Sequence, residues 1–196
     1  MLATIETERL VLRNYKKEDA QSMHMYYCGD AEVTRYMSWY PHPDVHYTQR
    51  FLEEGILPKN ECPDRLELAI TLKGACQHVI GNVVAWKVAS DTLELAYVMG
   101  RKHQGQGYMR EAVQAVLTYL FTHPSFQEVI AYYELDNAAS GAVMRKCGLT
   151  YQKNILDRRK IDPPEDDVVV CALYSMQKND WMKDHECEAD LLKGSS

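Results

Sequence analysis

The sequence predicts an α/β fold, with one mixed, mostly antiparallel sheet and helices on its faces. Three observations support this prediction. The middle of the chain contains three apolar runs separated by short spacers, which is typical of an antiparallel meander. A stretch from about residue 107 to 122 has apolar residues at helical spacing. The remainder of the chain alternates predicted strands and helices.

The first third of the chain is predicted to form one strand and two helices. Residues Thr7 to Arg13 alternate polar and apolar side chains, which is the pattern of a half-buried strand. Helices are expected over residues 16–27, ending at Cys28-Gly29-Asp30, and over residues 44–54. Between them, residues 36–43 combine aromatic residues with two prolines and are predicted to form a loop.

The middle of the chain is predicted to form the meander and the longest helix. Strands are expected over residues 66–72, 78–86 and 92–98. The helix from about 107 to 122 ends before Pro124 because proline cannot continue it. Its core-facing stripe consists of Met109, Ala112, Val113, Val116, Leu117, Leu120 and Phe121.

The last part of the chain is predicted to add a strand, a helix and a final strand. The strand is expected over residues 128–133 and the helix over residues 137–147, with Gly148 as a left-handed cap. The final strand is expected over residues 168–174. This order completes one sheet with helices on its faces.

Composition and charge limit the classes of function. The 196 residues, 46% hydrophobic and 26% charged, suffice for one globular domain, expected over residues 1–178 with a polar, acidic tail over 179–196. A net charge of −6 argues against nucleic-acid binding, which relies on a basic surface. The acidic segments are either solvated surface or attract a cationic substrate. With no signal peptide, no membrane-length apolar run and six cysteines without paired spacing, a cytoplasmic protein is expected.

A glycine-containing loop precedes the long helix. It reads Arg101-Lys102-His103-Gln104-Gly105-Gln106-Gly107-Tyr108-Met109. The first amides of a helix have no intrahelical partner, so such a loop can bind phosphate oxygens, and glycines permit close approach. The pattern alone also describes an ordinary tight turn. A dinucleotide-binding fingerprint fits poorly because Arg110 stands in place of the third glycine, and no P-loop Gly-Lys-Ser/Thr follows.

Four motifs in order along the chain resemble the GNAT superfamily of N-acetyltransferases. Gln104 to Met109 resembles the family's Gln/Arg-x-x-Gly-x-Gly/Ala cofactor loop, although Met109 departs from the usual small residue. Asn137-Ala138-Ala139-Ser140, followed by Lys146-Cys147-Gly148-Leu149, resembles its Asn-x-x-Ser helix ending in Lys-x-Gly-Phe. Thr7 to Arg13 and Arg35 to Trp39 are similar to the ribosomal-protein alanine acetyltransferase-like branch.

The resemblance implies that acetyl-CoA is the co-substrate. The CoA pyrophosphate is then expected on the backbone amides of Gln104, Gly105, Gln106, Gly107, Tyr108 and Met109. The pantetheine arm is expected along the backbone of Tyr97, Val98 and Met99, with an amide near Val98 polarising the thioester carbonyl. Asn137 is expected to contact the cofactor from the second helix, and it is also suited to capping that helix.

Two side chains are candidates for the chemistry. Glu94 interrupts an apolar strand on the same face as Ala96 and Val98, and a half-buried carboxylate there suits a general base. The alternative is an exposed or salt-bridged glutamate. Met144 occupies the helix position where many GNAT proteins have a tyrosine. The branch resemblance implies instead that Ser140 donates a hydrogen bond to the leaving sulfur, and the alternative is a helix-capping hydroxyl. Catalysis by positioning alone stays open.

The acceptor side is predicted from the aromatic loop. Tyr36, Trp39 and Tyr40 are expected to wall the acceptor site, and their alternative interpretation is a packed hydrophobic minicore. The acidic segment from Asp162 to Asp167 is a second candidate wall. A spacing of four separates His42 and His46, but no further ligand cluster accompanies them, so a metal site is not predicted.

The sequence therefore predicts acetyl transfer from acetyl-CoA to a primary amine. The branch resemblance favours a protein or peptide N-terminal α-amine as acceptor, with a polyamine or amino sugar as the nearest alternative. A non-catalytic acyl-CoA-binding module and a nucleotide-binding protein are alternatives from other classes. Relatives in the branch make a homodimer an expectation as well.

Overall fold

The computed structural model describes residues 1, 3–158 and 168–183. Within them, eight strands form one sheet in the order β1-β2-β3-β4-β5-β6-β8-β7. Every neighbouring pair is antiparallel except β5 and β6, which are parallel. The strands are β1 Thr4–Glu6, β2 Leu10–Arg13, β3 Arg65–Leu72, β4 Ala75–Lys87, β5 Thr92–Met99, β6 Glu128–Glu134, β7 Thr150–Arg158 and β8 Val168–Gln177.

Strands β5 and β6 pair over only part of their length. The pairing begins at Thr92 and Glu128 and ends at Glu94 and Ile130. Both strands then continue, β5 to Met99 and β6 to Glu134. Because the ladder stops while the strands go on, a gap opens between them in the middle of the sheet.

Helices cover the two faces of the sheet, and the last described residues, 178–183, are helical as well. The three short helices and the turns around them pack on one face, and the two longest helices pack on the other. The helices are α1 Ala20–Met23, α2 Ala31–Thr34, α3 Val45–Arg50, α4 Tyr108–Thr122 and α5 Ala138–Lys146. A 3₁₀ turn (Lys17–Asp19) precedes α1, and π-helical turns extend α1 to Cys28 and α3 to Ile56.

The two faces of β5 belong to two separate hydrophobic clusters. Leu93, Leu95 and Met99 pack with the predicted apolar stripe of α4 in the larger cluster. Val98 packs with the α1 and α3 side in the smaller one. Because side chains alternate across a strand, β5 contributes side chains to both clusters.

The sequence predicted most of these elements and was wrong about three features. Residues 7–13 are not one strand. They contain the turn between β1 and β2, which closes because Thr7 N donates to Leu10 O and Leu10 N to Thr7 Oγ1, both at 3.0 Å. Helix α2 lies in a region for which no helix was predicted, and β7 was missed entirely. The meander, α4, α5, β6, β8 and the left-handed Gly148 are confirmed.

Candidate active site

The gap between β5 and β6 opens into a cleft of about 700 Å³. It extends from the N-terminal end of α5 to the aromatic loop after α2. Its walls include the predicted residues Glu94, Tyr97, Val98, Asn137, Ser140, Tyr36 and Trp39, whereas Tyr40 does not line it. The structure thus brings together residues that lie more than 100 positions apart in the chain.

The glycine-containing loop forms an anion-binding geometry at one end of the gap. Gly105 and Gly107 have left-handed φ values of 73° and 81°. Residues other than glycine rarely adopt this backbone conformation. Gly107 caps α4 and no side chain bonds the first amides of that helix. These amides and the helix dipole make the loop suited to a pyrophosphate. Met109 is buried, so its backbone and not its side chain is available.

Arg9 holds this loop from the β1–β2 turn, a role the sequence did not predict. Its guanidinium donates to Gln106 O at 3.0 Å and lies 4.5 Å from the centre of the Tyr108 ring. Glu111 binds it in turn, with Nη2 and Oε2 2.6 Å apart. Arg9 stood within a motif quoted for family resemblance, but its contact partners are about a hundred residues away, and no local pattern indicates them.

The β4–β5 ladder determines which amides of β5 face the gap. Gly100 N donates to Ile80 O at 2.8 Å, and the register from there along the ladder is unbroken. In an antiparallel ladder, alternate residues direct both backbone groups at the partner strand. The backbone of Val98 is therefore directed at β4, while the amides of Tyr97 and Met99 face the gap. The amide predicted near Val98 is one of these neighbours.

Glu94 lies at the fork where β5 and β6 part. It is the last residue of β5 that pairs with β6, and its side chain lines the cleft on the face shared with Ala96 and Val98. Burial raises the pKa of its carboxyl, the Tyr132 hydroxyl lowers it by hydrogen bonding, and the charge of Asp157 raises it. Burial, with Glu94 and Asp157 nearby, likewise raises the pKa of Tyr132. A half-buried carboxylate with a raised pKa is suited to accept a proton as a general base.

Ser140 and Asn137 present polar atoms at the start of α5. Asn137 Oδ1 accepts from Ser140 N at 3.3 Å, which confirms the capping role. The Ser140 hydroxyl donates to the Tyr97 hydroxyl at 3.0 Å. Met144 is buried beside them and has no proton to donate.

The aromatic wall rests on a buried polar cluster. Trp39 lies against His42, with their ring centres 5.3 Å apart, and Arg35 lies over the ring of Tyr36. His42 Nδ1 is 2.9 Å from Thr48 Oγ1, and His24 Nδ1 is 3.1 Å from the same oxygen. His42 is 5% exposed. Burial, with a smaller contribution from His24, lowers its pKa to about 4.

Other predicted features give less information about the site. The acidic segment Asp162 to Asp167 lies outside the described residues. His46 is exposed while His42 bonds Thr48, so the two histidines do not converge. Within residues 3–158 and 168–183, no group of three or more histidine, cysteine or acidic residues is arranged to hold a metal ion. In the same part of the chain, no helix is both long and apolar enough to cross a membrane.

The fold and the cleft together define a class of protein. An amide-lined loop at a helix N-terminus suits a pyrophosphate, and a gap with unpaired strand edges suits an amide-containing arm. A carboxylate with a raised pKa stands where the arm would end. This combination describes an enzyme that transfers an acyl group from a CoA thioester.

Comparison with known proteins identifies the family. Residues 9–150 match the Acetyltransferase (GNAT) domain. The uncharacterized N-acetyltransferase p20 of Bacillus licheniformis is 27% identical over 183 residues, covering 92% of this chain and 99% of p20. The uncharacterized N-acetyltransferase YnaD of Bacillus subtilis is 28% identical over 146 residues, which cover 74% and 81% of the two chains. The chain belongs to the GNAT acetyltransferase family and is an acetyl-CoA-dependent N-acetyltransferase.

Solved structures share the fold at lower identity. A GNAT-family acetyltransferase from Bacillus anthracis superposes with a TM-score of 0.76 at 24% identity, covering 90% of this chain and 99% of that one. The ribosomal L7/L12 α-N-protein acetyltransferase RimL, in complex with coenzyme A, gives 0.75 at 15% identity, with 89% and 98% coverage. Spermidine N-acetyltransferase from Vibrio cholerae, with CoA and spermine, gives 0.72 at 13% identity, with 90% and 99% coverage.

Proposed function

We propose that the enzyme acetylates a primary amine by direct attack on the thioester, with Glu94 as the general base. The observation that supports this most is the position of Glu94 at the fork. The pyrophosphate binds the amides of Gly105 to Met109, because the Gln104 amide already donates to Arg101 O at 3.3 Å. The pantetheine arm follows the open edge of β5. The thioester then lies where the amides of Tyr97 and Met99 face the gap and polarise its carbonyl.

The proposed reaction balances without a further reactant. The amine nitrogen bonds the carbonyl carbon, the carbon–sulfur bond breaks, and its electron pair goes to sulfur. Glu94 takes the proton that the amine loses and returns it to water after the product leaves. Ser140 donates a hydrogen bond to the sulfur as negative charge develops there. Asn137, which caps α5 beside Ser140, contacts the arm from that helix.

The acceptor proposed is a peptide or protein N-terminal α-amine. Supplying the neutral form of an α-amine costs only about 1 kcal/mol at neutral pH, whereas a lysine side chain costs about 4–5 kcal/mol. One half-buried carboxylate is sufficient to deprotonate the α-amine, which has the smaller free-energy cost. Tyr36 and Trp39 then contact the acceptor, whereas Tyr40 does not line the cleft. The structural similarity to RimL agrees with this class of acceptor.

The charge of the cleft favours a polyamine as the second candidate. Among the described residues, four carboxylates and two cationic side chains line it: Glu67, Glu94, Glu134 and Asp157 against Lys59 and Arg65. Arg65 is already bound to Glu67, with Nη2 and Oε2 2.8 Å apart. The remaining excess of acidic groups attracts a cation that carries more than one amine. The similarity to a spermidine acetyltransferase agrees with this alternative.

An acceptor panel tests the proposal. Release of free CoA thiol would be measured with lysine-free peptides, the same peptides with a blocked N-terminus, lysine peptides, spermidine and amino sugars. Turnover with the free but not the blocked peptides supports the α-amine. Turnover with spermidine alone transfers the assignment to polyamines. Amino sugars alone would contradict both assignments.

The role of Glu94 has a separate test in the pH dependence of kcat/KM. We expect Glu94→Gln to lower kcat by about 10²–10³-fold. Tyr132→Phe removes the hydrogen bond that lowers the Glu94 pKa, so the acidic limb should move to higher pH. Asp157→Asn removes the charge that raises it, so the limb should move to lower pH. Shifts in the same direction for both variants would exclude Glu94 as the titrating base.

A further inference from the structure

The Tyr97 hydroxyl makes two contacts with a single residue of α5. It donates to Ser140 O at 2.9 Å and accepts from Ser140 Oγ at 3.0 Å. Tyr97 comes from β5, and its side chain crosses to the α5 face of the sheet because odd-numbered residues of β5 face that way. The phenol therefore links the strand that lines the gap to the first turn of the helix beside it.

We propose that Tyr97 is a positioning residue that holds the Ser140 hydroxyl in place for the leaving sulfur. This inference rests on the proposed role of Ser140. A serine side chain has three staggered rotamers, and only an anchored one presents its hydroxyl at a fixed point. Tyr97 anchors it at the end of the cleft lined by Val98 and Asn137, on the pantetheine side of the fork.

The positions of the two hydroxyl protons explain how Tyr97 can support the hydrogen bond from Ser140 to the sulfur. In the arrangement described, the one Ser140 hydroxyl proton is directed at Tyr97, and the one Tyr97 proton is directed at the Ser140 carbonyl. When the Ser140 proton turns to the sulfur, the Tyr97 proton can turn to Ser140 Oγ without moving the ring. A hydroxyl that accepts a hydrogen bond is a better donor, so this rearrangement strengthens the bond to sulfur. No covalent bond of either side chain breaks.

Tyr97 is suited to holding Ser140 and poorly suited to being the acid itself. Burial raises the pKa of its phenol above the ordinary value, with the Ser140 hydrogen bond opposing the rise. The phenol consequently stays neutral and keeps both its proton and its lone pairs available. From α5, only Asn137, Ser140 and Met144 line the cleft among the described residues, and Ser140 is the one hydroxyl of the three.

A double-mutant cycle tests the inference. Tyr97→Phe keeps the ring and removes only the hydroxyl, Ser140→Ala removes its partner, and the double variant combines them. We expect Tyr97→Phe to lower kcat about tenfold, with the KM for acetyl-CoA within about twofold of wild type. Ser140→Ala should lower kcat about 10²-fold, and adding Tyr97→Phe should lower it no further. Tyr119→Phe, a tyrosine of α4 that does not line the cleft, is the matched control and should leave kcat unchanged.

Each other outcome identifies what fails. Wild-type kcat in Tyr97→Phe with an impaired Ser140→Ala overturns the inference and leaves the proposed mechanism intact. Wild-type kcat in Ser140→Ala removes the proposed role of Ser140, and the inference with it. If the two effects multiply, or if Tyr97→Phe raises the KM for acetyl-CoA instead of lowering kcat, Tyr97 is only a packing residue. Binding of CoA, measured by calorimetry on each variant, establishes that the variants are folded.

Discussion

The buried His42 is expected to make the stability of this enzyme depend on pH below neutrality. In the unfolded chain its pKa has the ordinary value of 6.5, and in the folded protein burial lowers it to about 4. The unfolded state therefore binds a proton more readily than the folded state between these values. It follows that the free energy of unfolding rises with pH across this window and is fully gained above it.

The size of the effect follows from the two pKa values. Full protonation of His42 lowers the free energy of unfolding by about 3 kcal/mol relative to its value at neutral pH. About 2 kcal/mol of this decrease occurs between about pH 7.5 and about pH 5. Urea unfolding at these two pH values would measure it. We expect the wild-type protein to lose about 2 kcal/mol more than His42→Gln, which keeps a neutral polar group against Thr48.

A matched control distinguishes His42 from general acid destabilisation. His46 lies in the same segment and is exposed, and we expect His46→Gln to lose as much stability as the wild type does. An equal loss in wild type and His42→Gln would refute the argument, because it would mean that His42 titrates alike in both states. A loss that appears at low salt and disappears at high salt would point instead to long-range charge effects, which salt screens.

Two further predictions concern the cofactor side of the site. Arg9→Ala should raise the KM for acetyl-CoA about fivefold, since the partly exposed ion pair and the bond to Gln106 are together worth about 1 kcal/mol. Steady-state kinetics would show this with kcat nearly unchanged, and Lys73→Ala, an exposed cation on the neighbouring turn, should have no effect. Gly141→Ala places a Cβ on the Tyr133 ring, so urea unfolding should show a loss of about 1–3 kcal/mol, and an unchanged stability would contradict the close packing.

Local sequence patterns predicted the elements whose side chains alternate clearly between water and the core. Helix α4 was recognised from its stripe and Glu94 from its position on an apolar strand, and both positions are confirmed. Strand β7 was missed because most of its side chains are exposed, including the large hydrophobic Tyr151 and Leu156 at 54% and 73% exposure. An edge strand without a buried face has no period to detect.

The residues that tune the site could not be found in this way. Tyr132 and Asp157 affect the Glu94 pKa from two other strands, and they meet it only because β6, β8 and β7 follow one another in the sheet. Arg9 reaches the glycine-containing loop from the β1–β2 turn near the N-terminus, about a hundred residues away in the sequence. The sequence shows the type of each residue, but a long-range hydrogen bond depends on strand order, which local periodicity does not encode.

The register of β5 places the proposed general base on one side of the strand and the residue that holds Ser140 on the other side. Even-numbered Glu94 faces the acceptor cleft and odd-numbered Tyr97 faces α5, so a slip of one residue would exchange them. The ladder with β4 prevents this slip: Gly81 allows the strands such a close approach that a Cβ there would collide with the carbonyl of Val98. Since β6 has already parted from β5 at this point, β4 is the strand that holds residues 95–99 in register. Strain introduced at Gly81 should therefore impair both the base and the leaving-group side at once, which no substitution confined to one face of β5 can do.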